Sequence, residues 1–210
     1  MGRRWKRFRR SPLGKPDPVE FERKRKMLGI LINLFYHGHI DLRFGDETGF
    51  SMTPNVPYGW LPVGKQSPIS SDNQRLFNVF SLMNLHQQLS SYPTKGTINT
   101  DFIIQCLDNF CQTLAKTTVV VLDNAPWHIA QALQDRREEW ESKGLFLFYL
   151  PPYSPQLNLI EILWRKIKYE WLQPQDYSSE QCLQTAIFRI LTKFGSEFQI
   201  NFSKNLELLN

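Results

Sequence analysis

The chain has little that would tie it to an oxidising or membrane environment. Its three cysteines, Cys106, Cys111 and Cys182, form no CxxC pair and leave an odd count, which argues against a disulfide framework and for a reduced, cytosolic protein. No apolar run approaches the ~18 residues of a membrane span, and no apolar segment with a cleavage site follows the Arg-rich start. Neither secretion nor membrane insertion is expected. There is no internal repeat and no low-complexity segment. What is present suits one well-buried domain with an appendage: 210 residues, 41% hydrophobic, with six Trp and fifteen Phe.

Charge is unevenly spread. The formal net is +5, yet Met1 to Lys26 holds eleven Lys or Arg against three acids, a local net of +8 on a body of about −3. Such an arm suits a polyanion, because neutralising phosphates releases counterions. A solvated terminus is the other reading of the same charges.

Periodicity gives an α/β order. Asp17-Pro18-Val19-Glu20 carries the marks of a helix start, with Phe21, Leu28, Leu31 and Phe35 on one stripe and Gly38 placed to end it. Ile40, Leu42 and Phe44 alternate as a strand that delivers Asp46; a tight turn and a second strand at Gly49 to Met52 should follow, then a third at Leu76 to Leu85. A helix is expected from an N-cap at Thr100 to Lys116, and Val119 to Leu122 reads as a central strand covered on both faces. A charged helix from His128 to Lys143, a buried strand at Leu145 to Leu150, a helix striped by Ile160, Leu163, Trp164, Ile167 and Trp171, and a last helix near Ser179 to Phe194 complete the pattern. The expectation is a mixed five-stranded sheet flanked by helices, in the element order of a ribonuclease-H-like fold.

Three acids fall at boundaries of these elements: Asp46, Asp123 and Glu161. Strand parity puts Asp46 in step with Ile40, Leu42 and Phe44, and Asp123 in step with Val119 and Val121, so one covering helix could bring Glu161 to both. Gathered carboxylates repel without a cation, and an all-oxygen set favours Mg²⁺ or Mn²⁺, as in two-ion phosphodiester chemistry. Each acid taken singly also reads as an ordinary turn residue, Asp123-Asn124 before Ala125-Pro126 especially. Glu47 competes with Asp46, but a strand turns it to the opposite face.

Phe44 to Phe50, Val121 to His128 (Val-Leu-Asp-Asn-Ala-Pro-Trp-His) and Leu150 to Trp164 resemble the three catalytic blocks of DDE transposases of the mariner-type superfamily, in its bacterial insertion-sequence branch. Tyr58 to Gly64 and Thr97 to Phe102 resemble that family too, so the likeness runs from about Arg3 to Trp171. By position, it implies that Asp46, Asp123 and Glu161 hold the metal, as a pair of Mg²⁺ or Mn²⁺ ions, in a catalytic domain that cuts DNA at element ends and joins the freed 3′-hydroxyls to a target, usually at TA. It also implies DNA as partner, a homo-oligomer in the active complex, and a bacterial, cytoplasmic, nucleoid-associated protein. A plain ribonuclease-H-like nuclease and a decayed or domesticated DNA-binding domain are the alternatives.

The expected division is a basic arm and linker helix over 1–38, a ribonuclease-H-like catalytic domain over 39–173 and a helical tail over 174–210. Arg3, Arg4, Lys6, Arg7, Arg9 and Arg10 on the arm, with Arg165 and Lys168 beyond Glu161, are the candidate phosphate contacts. Arg165 could instead pair with Glu161. Asn124 and His128 are supporting candidates beside Asp123; His128 could orient a phosphate or a metal-bound water, or make a local hydrogen bond at a helix start. Trp60 could stack on a base or cover the sheet edge, and the cysteines suit core packing. Two departures from the family stand out: Leu159 where proline is usual, and thirty-seven residues between Asp123 and Glu161. Family members usually begin with a helix-turn-helix region that reads the terminal repeats, so a separately encoded upstream half is expected.

Overall fold

The computed structural model describes residues 14, 16–55 and 75–207. The arm from Arg3 to Arg10 and the Tyr58 to Lys65 loop with Trp60 lie outside the described residues. Helix α1, Pro18–Tyr36, starts as its sequence dictates: the Asp17 carboxylate accepts from Val19 N at 3.0 Å, with Pro18 at the first helical position. Leu28, Ile32 and Phe35 form its buried stripe, and Gly38, at φ +77°, ends it.

The next segment corrects the sequence reading. Strand β1 is continuous over Asp41–Ser51, with no turn after Asp46. It pairs antiparallel with β2, Arg75–Met83, and the ladder runs straight through the turn-like residues: Asp46 faces Ser81, Glu47 Phe80, Thr48 Val79 and Gly49 Asn78. Pairing with β2 overrides the local preference of Asp, Thr and Gly for turns. A second correction is β3, Leu89–Thr94, hidden from a hydrophobic pattern by Ser90, Ser91 and Pro93. It is an edge strand on β2, where a proline costs no inner ladder bond, and Ser81 Oγ donates to Ser91 Oγ at 2.9 Å.

Helix α2, Thr100–Cys111, is capped by Asn99 rather than Thr100, with Phe102 N donating to Asn99 Oδ1 at 2.9 Å, and it stops short of Lys116. Strand β4, Thr118–Leu122, is central and parallel to both β1 and β5, Leu145–Tyr149. The stretch from His128 to Lys143 is not one helix: it breaks into α3, Gln131–Gln134, and α4, Arg137–Ser142. Fully buried Trp140 anchors it, its Nε1 donating to Asp108 Oδ1 on α2 at 2.8 Å. After a short 3-10 turn at Pro155–Leu157, helix α5, Ile160–Lys166, runs into a π-helical turn over Ile167–Trp171. Helices α6, Glu180–Thr192, capped by Ser179, and α7, Ser203–Leu206, follow.

The sheet order is β3-β2-β1-β4-β5, antiparallel through β1 and parallel beyond it, so the expected mixed five-stranded sheet is present with one strand merged and another added. Two cores cover it. On one face Leu28 and Phe35 of α1, Ile160, Leu163 and Trp164 of α5, and Leu183 and Ile187 of α6 bury Leu42, Phe44 and Val121. On the other, Ile103, Leu107 and Phe110 of α2 with Trp140 bury Phe80, Leu82, Val120 and Leu122. The alternation of Val121 against Val120 and Leu122 between these cores is what a doubly covered strand requires. Cys106 and Cys111 fill the second core, whereas Cys182 is exposed and packs in neither.

Candidate active site

The last paired positions of β1 and β4 are Phe44 and Val121. Asp46 and Asp123 each stand two residues beyond that pair, level with one another and on the side of the sheet that α5 covers. Asp46 lies within its strand, not at its end, but past the reach of the parallel neighbour, where the sheet opens. Glu161 comes from the first turn of α5 and is exposed at the rim. The three acids predicted from sequence lie along one edge within electrostatic reach of one another, and the Glu47 carboxylate turns toward Trp127 and His128 while still bordering the same cleft as Asp46.

Each strand acid is held by a ring nitrogen. Trp164 Nε1 donates to Asp46 Oδ2 at 3.0 Å. His128 Nδ1 donates to Asp123 Oδ1 at 2.7 Å, and Ala125 N adds a bond to the same oxygen at 3.0 Å. His128 is fully buried, its Nε2 at ion-pair distance, 3.3 Å, from Glu47 Oε2, while Trp127 Nε1 donates to Glu47 Oε1 at 2.9 Å. The ring thus lies between two carboxylates, although its Nε2 and Glu47 Oε2 make no hydrogen bond of ordinary geometry. Burial alone would lower the imidazole, but Asp123 and Glu47 raise it to about 9.

The acids respond differently. Burial first, then the charges of Glu47, Glu161 and Asp123, pushes Asp46 well above the usual carboxylate range. Burial also works to raise Asp123, yet the His128 and Ala125 hydrogen bonds hold it below that range. Glu161, although exposed at the rim, is raised by partial desolvation in the cleft and then by Asp123, with Lys168 pulling the other way. Among the described residues no three His, Cys, Asp or Glu side chains stand close enough together to ligate an ion. The chemistry of the set nevertheless fits a hard divalent cation: every donor is a carboxylate oxygen, and Asp46 lies in a field of like charge that a cation would offset.

Two clefts meet at Glu161 and Asn158. One, of about 650 Å³, is lined by Asp123, Asn124, Ile129 and the Pro151 to Pro155 turn. The other, of about 830 Å³, is lined by Asp46, Glu47, Trp164, Arg165 and Lys168. Arg165 and Lys168 thus share the site with the acids, and among the described residues no ion pair joins Arg165 to Glu161. Asn124 serves structure: its Nδ2 donates to Leu150 O and ties the end of β4 to the turn after β5. His128 makes the local bond, from a buried turn before α3 and not from a helix start. Leu159 adopts φ −68°, and Asn158 before it is extended, a pair of conformations proline would also accept. Sequence reasoning missed Trp127, Asn158 and Trp164 as polar partners, because tryptophan on an apolar stripe reads as core and Asn158 as turn.

A mixed sheet in this order, with helices on both faces and acids on the first and fourth strands, defines a ribonuclease-H-like domain. The chain belongs to the DDE superfamily endonuclease family, whose model matches residues 41–184. Among solved structures it resembles a Mos1 transposase paired-end complex with left transposon end, at TM-score 0.63 and 18% identity, covering 100% of this chain and 64% of that one. A Mos1 mariner paired-end complex with Mn gives TM-score 0.62 at 18% identity, over 100% of this chain and 64% of that chain. The catalytic domain of Mos1 mariner transposase gives TM-score 0.53 at 13% identity, covering 93% and 91% of the two chains. Over 26% of this chain and 36% of the relative, it is 35% identical to the uncharacterized protein y4pE/y4sA of Sinorhizobium fredii (strain NBRC 101917 / NGR234). The chain spans 64% of the paired-end-complex chains and 36% of the curated relative. Among the described residues no helix is long and apolar enough to cross a membrane.

Proposed function

We propose that this chain is the catalytic domain of a DNA transposase of the bacterial insertion-sequence type, cutting DNA at element ends and joining the freed 3′-hydroxyls to target DNA. The observation that supports the reading is the placement of Asp46, Asp123 and Glu161 along one rim, where burial and then the charges of Glu47, Glu161 and Asp123 raise Asp46. In this reading the three carboxylates hold Mg²⁺ or Mn²⁺, two ions in the complete site. Held by Asp46, Asp123 and Glu161, such ions would supply charge stabilisation for an in-line displacement at phosphorus and ease deprotonation of the attacking oxygen. The chain's own residues do the rest. His128 keeps Asp123 ionised and oriented, Trp164 holds Asp46, and Arg165 with Lys168 places phosphates along the cleft.

The partners in this reading are element ends and target DNA, engaged by a homo-oligomer, with the basic arm adding sequence-independent affinity in the nucleoid. A strand-transfer assay on labelled element ends, in Mg²⁺ and in Mn²⁺, tests it. Joined products support transposition; cleavage without joining would make the protein a nuclease of the same fold; binding without cleavage would make it a DNA-binding relic.

A further inference from the structure

Glu161 is bracketed by two polar side chains, one three residues before it and one three residues after, and both bond to consecutive residues of β1. Asn158 Nδ2 donates to Gly45 O at 3.0 Å, and Trp164 Nε1 donates to Asp46 Oδ2 at 3.0 Å. Both side chains are buried, each 4% exposed. We infer that Asn158 and Trp164 form a staple that sets Glu161 against Asp46, and that they are positioning residues for the carboxylate site. This rests on the reading of the three acids given above.

The need for such a staple follows from the local backbone. Helix α5 has seven residues, entered from a 3-10 turn and left through a π-helical turn, so its own ladder does little to fix its rotation or axial position. Ile160, Leu163 and Ile167 hold it down on the sheet, but apolar contact is non-directional and sets depth better than register. Two hydrogen bonds to adjacent strand residues supply register. One reaches the backbone just before Asp46 and the other the Asp46 carboxylate itself, so Glu161 is pinned between the two bonds.

Asn158 supports this reading in a second way. With its amide nitrogen committed to the Gly45 carbonyl, its Oδ1 must point elsewhere, and that oxygen is buried without a hydrogen-bond partner. An apolar residue would avoid that cost, so packing alone does not account for asparagine here. The Leu157-Asn158-Leu159-Ile160-Glu161 run and Trp164 then act as one unit: an acid with its two anchors.

The test titrates the full 210-residue chain with Mn²⁺ by calorimetry, alongside Asn158→Ala, Trp164→Phe and Asp46→Asn. Partners that orient metal ligands typically contribute about 10- to 100-fold in affinity. Each anchor variant should therefore fold, lose Mn²⁺ affinity by about that factor, and raise the half-saturating Mn²⁺ for DNA cleavage in step, while the rate at saturating Mn²⁺ largely recovers. A lower melting temperature with unchanged Mn²⁺ affinity would mean the bonds only stabilise the fold, and the inference is overturned. If Asp46→Asn loses binding and the anchor variants do not, the staple alone is wrong. If the wild type binds no Mn²⁺, or Asp46→Asn binds as well as wild type, the three-acid reading fails and takes the staple with it. Should Trp164→Phe not fold, the indole N–H resonance of Trp164 serves instead: Asp46→Ala should shift it upfield and speed its exchange, and an unmoved resonance counts against the bond.

Discussion

At the open end of the sheet two aspartates stand level on neighbouring strands, and their surroundings treat the same charge in opposite ways. Asp46 on β1 is partly buried among Glu47, Glu161 and Asp123, with the uncharged indole of Trp164 on one oxygen, and it is held well above the ordinary range. Asp123 after β4 has a charged donor, the His128 imidazolium, and the Ala125 N–H besides, and it stays below that range despite burial. A neutral donor orients a carboxylate without offsetting its charge; a cationic one does both. The comparison teaches that one aspartate has a cationic partner within the chain while the other faces only like charge and a neutral donor. A divalent ion would do for Asp46 what His128 already does for Asp123.

Loaded with metal, the two acids should become equivalent, and this gives the largest expected effect. Asp46→Asn, Asp123→Asn and Glu161→Gln should each cut Mg²⁺- or Mn²⁺-dependent cleavage of an element-end substrate by about a thousandfold or more, since several kcal/mol of charge stabilisation leave with the ligand. Glu47→Gln should retain more activity than Asp46→Asn, because the Glu47 oxygens are taken up by Trp127 and His128. Substantial cleavage by a folded Asp123→Asn variant in Mg²⁺ would break the equivalence and the assignment with it.

Without metal the asymmetry should appear in the dependence of stability on pH. The His128 pKa rises from 6.5 to about 9 on folding, so its contribution is fully present below 6.5 and is lost as pH climbs through about 9. On the order of 3 kcal/mol is at stake for this buried group, at about 1.4 kcal/mol per unit of pKa shift. Asp123, lowered on folding, adds stability above 3.8 that fades as pH falls through that value; Asp46, raised, costs stability progressively as pH rises past 3.8. Urea midpoints in EDTA at pH 6 and pH 9.5 measure the histidine part, and His128→Gln should flatten the difference. A wild-type midpoint that does not change between those pH values would show that His128 is uncharged at neutrality.

A third, smaller effect separates the acids directly. In EDTA at neutral pH, Asp46→Asn should raise the melting temperature and Asp123→Asn should lower it, each by roughly 2 to 4 °C for about 1 kcal/mol in a protein of this size. Clustered like charges alone would make both substitutions stabilising. It is the His128 bond that reverses the sign for Asp123.

That reversal marks the limit of what the chain's letters disclosed. The strands and the helix that carry Asp46, Asp123 and Glu161 were legible because strand parity and a helical stripe are local, periodic signals. The continuity of β1 through Asp46 and Gly49 was not, since it depends on pairing with β2, and β3 was not, since its Ser and Pro fit only an edge position. Nor were the partners: Trp164 and Asp46 are 118 residues apart, and Trp127 and Glu47 80 apart, so no window along the chain contains either contact. Cys182 and the broken 128–143 helix failed for the same reason, because what decides exposure or helix length there is a neighbour from elsewhere in the sequence.

The smallest effect tests whether the comparison extends to Glu161, the third acid, which has no ring donor among the described residues. Lys168 is the cation that eases its charge, and it also lines the cleft with Arg165, its Nζ lying 5.6 Å from the centre of the Phe50 ring. If Lys168 is shared between Glu161 and a DNA phosphate, Lys168→Gln should weaken DNA binding evenly across sequences and flatten the plot of log K against log salt by about 0.9, the value of one lost contact. Deleting residues 1–16 should flatten it by more, through the several Arg and Lys of the arm. Filter binding of a non-specific duplex from low to moderate salt measures both slopes. A Lys168→Gln slope equal to wild type, with the arm deletion still flattening it, would place the phosphates on the arm alone and leave Lys168 as Glu161's cation, making the third acid a weaker counterpart of Asp123.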